Sequence, residues 1–231
     1  MNLYKDSVLS KLIYEGFEKQ ELEYLMTVLK EGDCFLDIGS NIGLFSLIAS
    51  EKVGESGRVI CFEPSPNTFE RLIENCNLNN FNNIDYRNIG LSDKKGNLTF
   101  YISENGHDAW NSFAPSQDCK LESNIQVPVS TLDIELEEVD KSNIKLVKID
   151  VEGWEKFVLN GGRDFFVKFS PIVMVEFTEE NTFNAGYGVH EIYDIMQNYG
   201  YTWYRIRNSK LVIEIKKMHY PYDNLIAIKN Q

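Results

Sequence analysis

The sequence has no sustained basic run: across 231 residues, 23 Lys and Arg stand against 35 Asp and Glu, a formal net charge of -12. Nucleic-acid binders carry a clustered positive footprint, so a polynucleotide partner is disfavoured. Cysteine and histidine are scarce too. The four cysteines, Cys34, Cys61, Cys76 and Cys119, form no CxxC pair and accompany only three histidines. That argues against a disulfide framework and a zinc site, and suits reduced thiols in the cytoplasm. Cys34 and Cys61, at or in apolar strands, read as core filler. No stretch approaches the ~18 uninterrupted apolar residues of a membrane span, and the N-terminal segment interleaves charge with apolar positions where a leader would not. Internal repeats, low-complexity tracts and linkers are also lacking. What remains, with 43% hydrophobic residues, fits one globular domain with a sizeable core.

Within that domain the apolar positions set the order of elements. From Val8 to Leu29 they recur at helical spacing and stop at Gly32, which predicts a helical collar over 1–31 ahead of a domain over 32–231. "CFLDIG" is a short buried strand, and "NIGLFSLIASEKVG" returns to helical period. "RVICFE" repeats the strand, Ser65 and Pro66 open the next helix as cap and first residue, and that helix runs from Asn67 to Asn79. Such alternation implies parallel strands joined by helical crossovers. A third strand is expected over Ile84–Gly90, and "NLTFYIS" and "QVPVSTL" flank a polar loop from Glu104 to Asn124. "IKLVKID" and "PIVMVEF" read as buried strands, with a helix from Trp154 that stops at Gly161-Gly162 and another over Val189–Tyr199. The tail, "TWYRIR", "KLVIEI" and "NLIAIK", suits an antiparallel edge. The expected fold is a doubly wound, mostly parallel α/β sheet of Rossmann-like type. In such sheets ligands sit at the carboxyl ends of the strands, at the switch point.

Candidate ligand contacts cluster at those ends. The turn Gly39-Ser40-Asn41-Ile42-Gly43 allows close backbone approach and opens a helix whose amino end favours an anion. Asp37, two residues earlier, suits an ammonium group, and Asn41 offers donor and acceptor. Glu63 ends the second strand, twenty residues after Gly43, where a carboxylate accepts hydrogen bonds from both ribose hydroxyls. Together these mark an adenosine-bearing cofactor. The middle glycine of a G-x-G-x-x-G dinucleotide fingerprint is missing, so an NAD(P)-dependent oxidoreductase is the weaker alternative.

The blocks "FLDIGSNIGLFSLIAS", "VICFEPSPNTFERLIENCNLNN", "RNIGLSDKKGNLTFY", "VPVSTLDIEL" and "LVKIDVEGWEKFVLNGG" resemble, in order and spacing, the FkbM family of methyltransferases that use S-adenosylmethionine (SAM). The resemblance runs from about Gly32 to Glu176 and implies the class I SAM-methyltransferase fold and methylation of hydroxyl oxygens. It further implies that Asp37, Gly39, Ser40, Asn41 and Gly43 lie at the methionine end, that Glu63 anchors the ribose, and that Pro64, Ser65, Gly90, Leu91 and Ser92 wall the adenine.

Methyl transfer is an in-line displacement that needs an aligned acceptor and a base within hydrogen-bond reach. Lys148 and Asp150 are separated by one residue, so on a strand both point to one face. Asp150 is the first candidate for base or substrate anchor, Glu152 the second if the chain has already turned, and His107 in the polar loop, whose residue type titrates near neutral pH, an alternative base. That loop also holds Gly106, Asp108, Trp110, Asn111 and Ser112, a mixture suited to a lid; Trp110, Phe183 and Tyr187 suit stacking on a sugar, and Trp154 and Trp203 read as packing. Asp150 and Glu176, at adjacent strand ends, are the expected ligands if magnesium takes part. "DVEG" stands where amino-group methyltransferases carry Asn-Pro-Pro-Tyr or Asp-Pro-Pro-Tyr, which favours an oxygen acceptor. The expected function is O-methylation of a sugar hydroxyl in a glycan or glycosylated metabolite, with a non-sugar small molecule or a non-catalytic scaffold as alternatives. The expected partner is that small molecule or glycan, and the chain reads as a whole protein or one domain of a larger glycan-building enzyme.

Overall fold

Short runs of Ile, Val, Leu and Phe become strands buried on both faces, as strands between two helical layers must be. In the computed structural model, which describes residues 1–104, 107–115 and 120–229, every residue of β1 (Cys34–Ile38) is buried. Gly106 and Cys119 lie outside the described residues. Two helices, α1 (Val8–Glu15) and α2 (Lys19–Val28), precede β1. It is followed by α3 (Leu44–Val53), β2 (Arg58–Phe62), α4 (Pro66–Asn77) and β3 (Ile84–Arg87). The chain then makes β4 (Gly90–Leu91), β5 (Gly96–Ser103), β6 (Leu121–Ser130) and α5 (Leu132–Glu135). It returns through β7 (Ile144–Ile149), α6 (Glu155–Gly161), α7 (Arg163–Phe169) and β8 (Ile172–Phe177). It ends with α8 (Glu179–Asn184), α9 (His190–Asn198), β9 (Tyr201–Arg207), β10 (Lys210–Ile213) and β11 (Asp223–Lys229).

The main sheet has eight strands in the order β10-β9-β11-β8-β7-β1-β2-β3. β3, β2, β1, β7 and β8 are parallel. β11 slots between β8 and β9, antiparallel to both, and β10 closes the edge antiparallel to β9. The doubly wound sheet with an antiparallel finish is therefore observed. The chain leaves β1 toward β2 and β3, then comes back on the other side as β7, so the switch point lies between β1 and β7. Register sets Asp37 of β1 beside Cys61 of β2 and Lys148 of β7.

Several elements differ from the sequence expectation. The third strand ends at Arg87, and Gly90-Leu91 joins β5 and β6 in a separate three-stranded sheet ordered β4-β6-β5. At the break the Asn88 side-chain amide donates to the Glu63 carbonyl at 2.7 Å and ties the chain to the end of β2. β6 begins at Leu121, earlier than its apolar part, because the exposed ribbon pairs through polar contacts such as Gln126 to Thr99 at 2.7 Å. Such a ribbon needs no buried face, so hydrophobic alternation does not announce it. Gly161-Gly162 also fails to end the helical region: Gly161 closes α6, and Gly162 immediately precedes α7. Ser65 precedes α4, with Pro66 at the first position, yet its hydroxyl accepts from Thr68 Oγ1 and makes no cap bond to the backbone.

Helix α2 is amphipathic, and its Leu25, with the following Leu29, is buried in the same core as Phe35, Phe45, Val59 and Leu146. The opposite face of the sheet packs Leu36, Phe62, Val147, Phe166, Phe177 and Trp203 under α6, α7 and α9. Trp203 is fully buried and donates to the Tyr193 carbonyl at 3.1 Å, as its packing role requires. Among the described residues no helix is long and apolar enough to cross a membrane.

The small sheet meets the main body at Gly161, where a Cβ would lie 2.0 Å from the Ser92 carbonyl oxygen. Neither backbone can yield without moving β4 or α6. Gly161→Ala should cost about 1–3 kcal/mol in urea unfolding. Gly96→Ala, whose Cβ would meet nothing within 4 Å, should change stability by about 0.5 kcal/mol or less. Equal effects at the two sites would contradict the packing described.

Candidate active site

β1 hands over to a turn that only glycine can make. Gly39 has φ 81°, and a Cβ there would stand 1.8 Å from the Asp150 carbonyl oxygen. The contact is reinforced by the Asp150 amide, which donates to the Ile38 carbonyl at 3.1 Å. The Gly39 and Ser40 amides both donate to the Phe62 carbonyl, at 3.0 and 3.1 Å. Asn41 takes a left-handed φ of 46°, which asparagine tolerates because its side chain bonds locally; here Oδ1 accepts from the Ile42 amide at 2.8 Å. Gly43, φ 95°, then opens α3.

Glu63 locks this turn to the next one. Its carboxylate accepts from the Asn41 amide at 3.0 Å and from the Ser65 amide at 2.9 Å, and each oxygen carries a second lone pair in the plane. Asp37 is buried beneath, with Oδ2 accepting from the Ser46 hydroxyl and Oδ1 without a hydrogen-bond partner among the described residues. Burial raises its carboxyl above the ordinary range, against the pull of Lys148.

These residues line one cavity of about 600 Å³, a size typical of small-molecule sites. Of the expected cofactor contacts, Asp37, Gly39, Ser40, Asn41, Glu63, Pro64, Gly90 and Leu91 face it. Gly43, Ser65 and Ser92 stand behind the lining. A Cβ on Gly43 would meet Leu72 Cδ1 at 2.6 Å, the Ser65 amide holds Glu63, and Ser92 Oγ accepts from Trp154 Nε1 at 3.2 Å. They support the wall and do not form it.

The same cavity continues to Asp150, Glu152 and Glu176 at the ends of β7 and β8. Lys148, with its side chain 5% exposed, donates to Asp150 Oδ2 at 2.6 Å and lies 4.7 Å from the centre of the Phe45 ring. Burial alone would depress the Lys148 ammonium; Asp150, Glu18 and Asp37 outweigh it and hold it charged, above its ordinary range. Glu152 has a left-handed φ of 52° and accepts from Asn181 Nδ2 at 2.7 Å. Glu176 Oε2 is buried without a hydrogen-bond partner among the described residues. One carboxylate oxygen from each of Asp150, Glu152 and Glu176 lies within 4.8 Å of the others. Burial, then the charge on Asp150, pushes both Glu152 and Glu176 well above the usual carboxylate range. Under the turn, Glu155 Oε1 accepts from the Val151 and Gly153 amides at 3.1 and 3.2 Å.

The polar loop contributes Trp110, Asn111 and Ser112 to the wall, whereas the His107 ring stacks on Trp110 at 4.0 Å, outside the lining. Tyr187 is not a stacking surface. It is buried and donates to the Gly153 carbonyl at 3.0 Å. Phe183 is exposed away from the cavity, and Trp154 packs on Phe157. Sequence reasoning missed a further part of the wall: Leu9, Leu12, Phe17 and Glu18 from the collar and Tyr222 before β11. Glu18 stands at the break between α1 and α2, which the continuous helical spacing of Val8–Leu29 does not mark. Its left-handed φ of 52° turns α1 into α2, and its carboxylate accepts from Asn224 Nδ2 at 3.0 Å.

Known proteins are similar to this chain in sequence and fold. Hexuronic acid methyltransferase AglP of Haloferax volcanii is 34% identical over 148 residues, covering 62% of this chain and 56% of that protein. The match therefore spans little more than half of that relative's length. The 2-O-methyltransferase NoeI of Sinorhizobium fredii is 23% identical over 188 residues, 76% of each chain. The structure of Methyltransferase FkbM from Methylobacillus flagellatus superposes with a TM-score of 0.54 at 14% identity, covering 90% of this chain and 50% of that one. The fold is thus that of SAM-dependent methyltransferases of known structure. The model of the Methyltransferase FkbM domain matches residues 37–202, most of the sheet and the whole of the Gly39 turn, and the chain belongs to that family.

Proposed function

We propose that the protein transfers a methyl group from SAM to a hydroxyl oxygen of a sugar. The observation that carries this reading is the single cavity joining the Gly39 turn and Glu63 to the acids at the ends of β7 and β8. When bound, SAM supplies a methyl group activated on a sulfonium. Glu63 would accept hydrogen bonds from the ribose hydroxyls, and the amino end of α3 would favour the carboxylate. Asp37, with a buried oxygen that no protein group satisfies among the described residues, fits an ammonium group. Pro64, Gly90 and Leu91 would flank the adenine.

At the acceptor end, Asp150 is the proposed base: it takes the hydroxyl proton as the oxygen attacks, and Lys148 fixes its rotamer. Glu152 is second, because burial and the charge on Asp150 push its carboxyl well above the usual range, toward the protonated form that can take no further proton, and His107 is third because it is outside the lining. Oxygen is favoured over nitrogen by the "DVEG" strand end, and a sugar is favoured by what AglP and NoeI are named for. A cytoplasmic setting suits the free, buried thiols of Cys34, Cys61 and Cys76.

Magnesium is the second reading, favoured by the three carboxylate oxygens within 4.8 Å of one another and by the unpartnered Glu176 Oε2. Hard cations take such ligands. Against it, Lys148 already sits on Asp150 as the local cation.

Titration calorimetry should detect both SAM and its demethylated product, with affinity falling at least about tenfold in Glu63→Ala, as loss of charge-assisted bonds requires. Absence of binding by either would overturn the reading. Asp150→Asn should keep SAM binding and lose about 10²–10⁴-fold in turnover; full activity would remove Asp150 from the role of base. Activity that survives chelation supports proton transfer without metal, and activity lost on chelation and restored by magnesium supports the second reading.

Buried acids also set a stability profile. Glu155 is raised by burial from 4.5 to about 7, so the folded state favours its protonated form. That contribution is complete below pH 4.5 and is lost as the pH rises to about 7. Glu18, likewise raised to about 7 by burial, acts in the same direction. Urea unfolding should therefore show lower stability at about pH 8 than at about pH 5. Glu155→Gln should shrink the difference, and a rise in stability across that window would contradict the assignment.

A further inference from the structure

The acceptor end of the cavity is lined by Glu18, Asp150, Glu152, Glu176 and Glu180. Lys148 is the only cationic residue in the lining among the described residues. It is already committed: its ammonium lies 2.6 Å from Asp150 Oδ2, and the charges of Glu18 and Asp37 act on it as well. Glu176 is 7% exposed, and its Oε2 meets no donor among the described residues. An anionic acceptor entering here meets the Asp150–Lys148 pair among buried acids, with little water and no free cation among the described residues to balance its charge.

We infer that the acceptor bears no anionic group beside the reacting hydroxyl: the site selects a neutral or ammonium-bearing sugar and rejects a uronic acid. This rests on the proposed sugar methylation and narrows it. A carboxylate on the sugar would have to displace Asp150 from Lys148 or lie against Glu176 without a counterion, and either costs more than the binding of a single carboxylate returns. A hydroxyl or ammonium group instead donates to the unpartnered Glu176 oxygen. The inference sets the acceptor of this chain apart from the hexuronic acid named for AglP. Glu18 lies outside the residues that match the family, 37–202, and is brought to the cavity by the turn between α1 and α2. The segment before the matched residues therefore adds an acidic group to a cavity whose other acids lie within them.

The test is methyl transfer from labelled SAM to matched glycosides in gluco, galacto and manno configuration. Each is offered as hexose, 2-amino-2-deoxyhexose and hexuronate, in chelator and separately in magnesium. The expected result is a kcat/KM for the neutral or amino member at least about tenfold above its hexuronate, the discrimination expected of like charges in a poorly solvated site. Glu18→Gln, which keeps an acceptor oxygen for Asn224, and Glu180→Gln should each narrow that gap by raising transfer to the hexuronate. Hexuronates methylated as well as or better than their partners, in either condition, would overturn the inference while leaving sugar methylation intact. Transfer to no sugar, with SAM bound, would overturn both.

Discussion

The approach of Gly39 to the backbone of Asp150 is the constraint on which the rest of the site depends. β1 and β7 are neighbours only because the chain reverses its direction of travel across the sheet there. At their carboxyl ends the two strands do not splay, because the Asp150 amide still reaches the Ile38 carbonyl and the Asp150 carbonyl occupies the space of an absent Gly39 side chain. The turn that would cradle SAM and the acid that would receive the acceptor proton are consequently parts of one backbone junction. In-line displacement demands alignment of donor and acceptor, and a junction without side-chain freedom can supply it.

Around that junction the protein concentrates acids in poor solvent. Asp37, Glu63, Asp150, Glu152 and Glu176 come from the ends of four adjacent strands, and Glu155 lies under the turn that joins β7 to α6. Such crowding is costly for folding, which is why burial drives Glu152, Glu155 and Glu176 upward. It is consistent with a site that receives a cationic cofactor. The collar and the last strand close the far side through the Glu18–Asn224 hydrogen bond, between residues 206 apart in sequence.

Much of this placement was legible in the sequence where backbone geometry dictates it. Asp37, Gly39, Asn41 and Glu63 announce themselves because a glycine turn, a strand end and an acid at fixed spacing have few other uses. Asp150 and Glu176 follow from strand ends in the same way. Gly43, Ser65 and Ser92 share the motifs but serve the turn and the wall from behind, a distinction made by side-chain direction that spacing does not record. Glu18 and Tyr222 were illegible because tertiary packing alone brings them to the cavity. The short strand at Gly90-Leu91 was hidden because the apolar pattern runs on through Ile89, while the Asn88 hydrogen bond to the Glu63 carbonyl that marks the break is a tertiary contact.

The central claim is that donor and acceptor positions are one unit built on the β1–β7 junction. Amide hydrogen exchange with and without S-adenosylhomocysteine tests it most directly. The account predicts that the ligand slows exchange together at 39–43 and at 150–153, the two backbones in contact at Gly39 and Asp150. Protection confined to a surface away from both segments, or none at 39–43 in protein that binds the ligand, would contradict it.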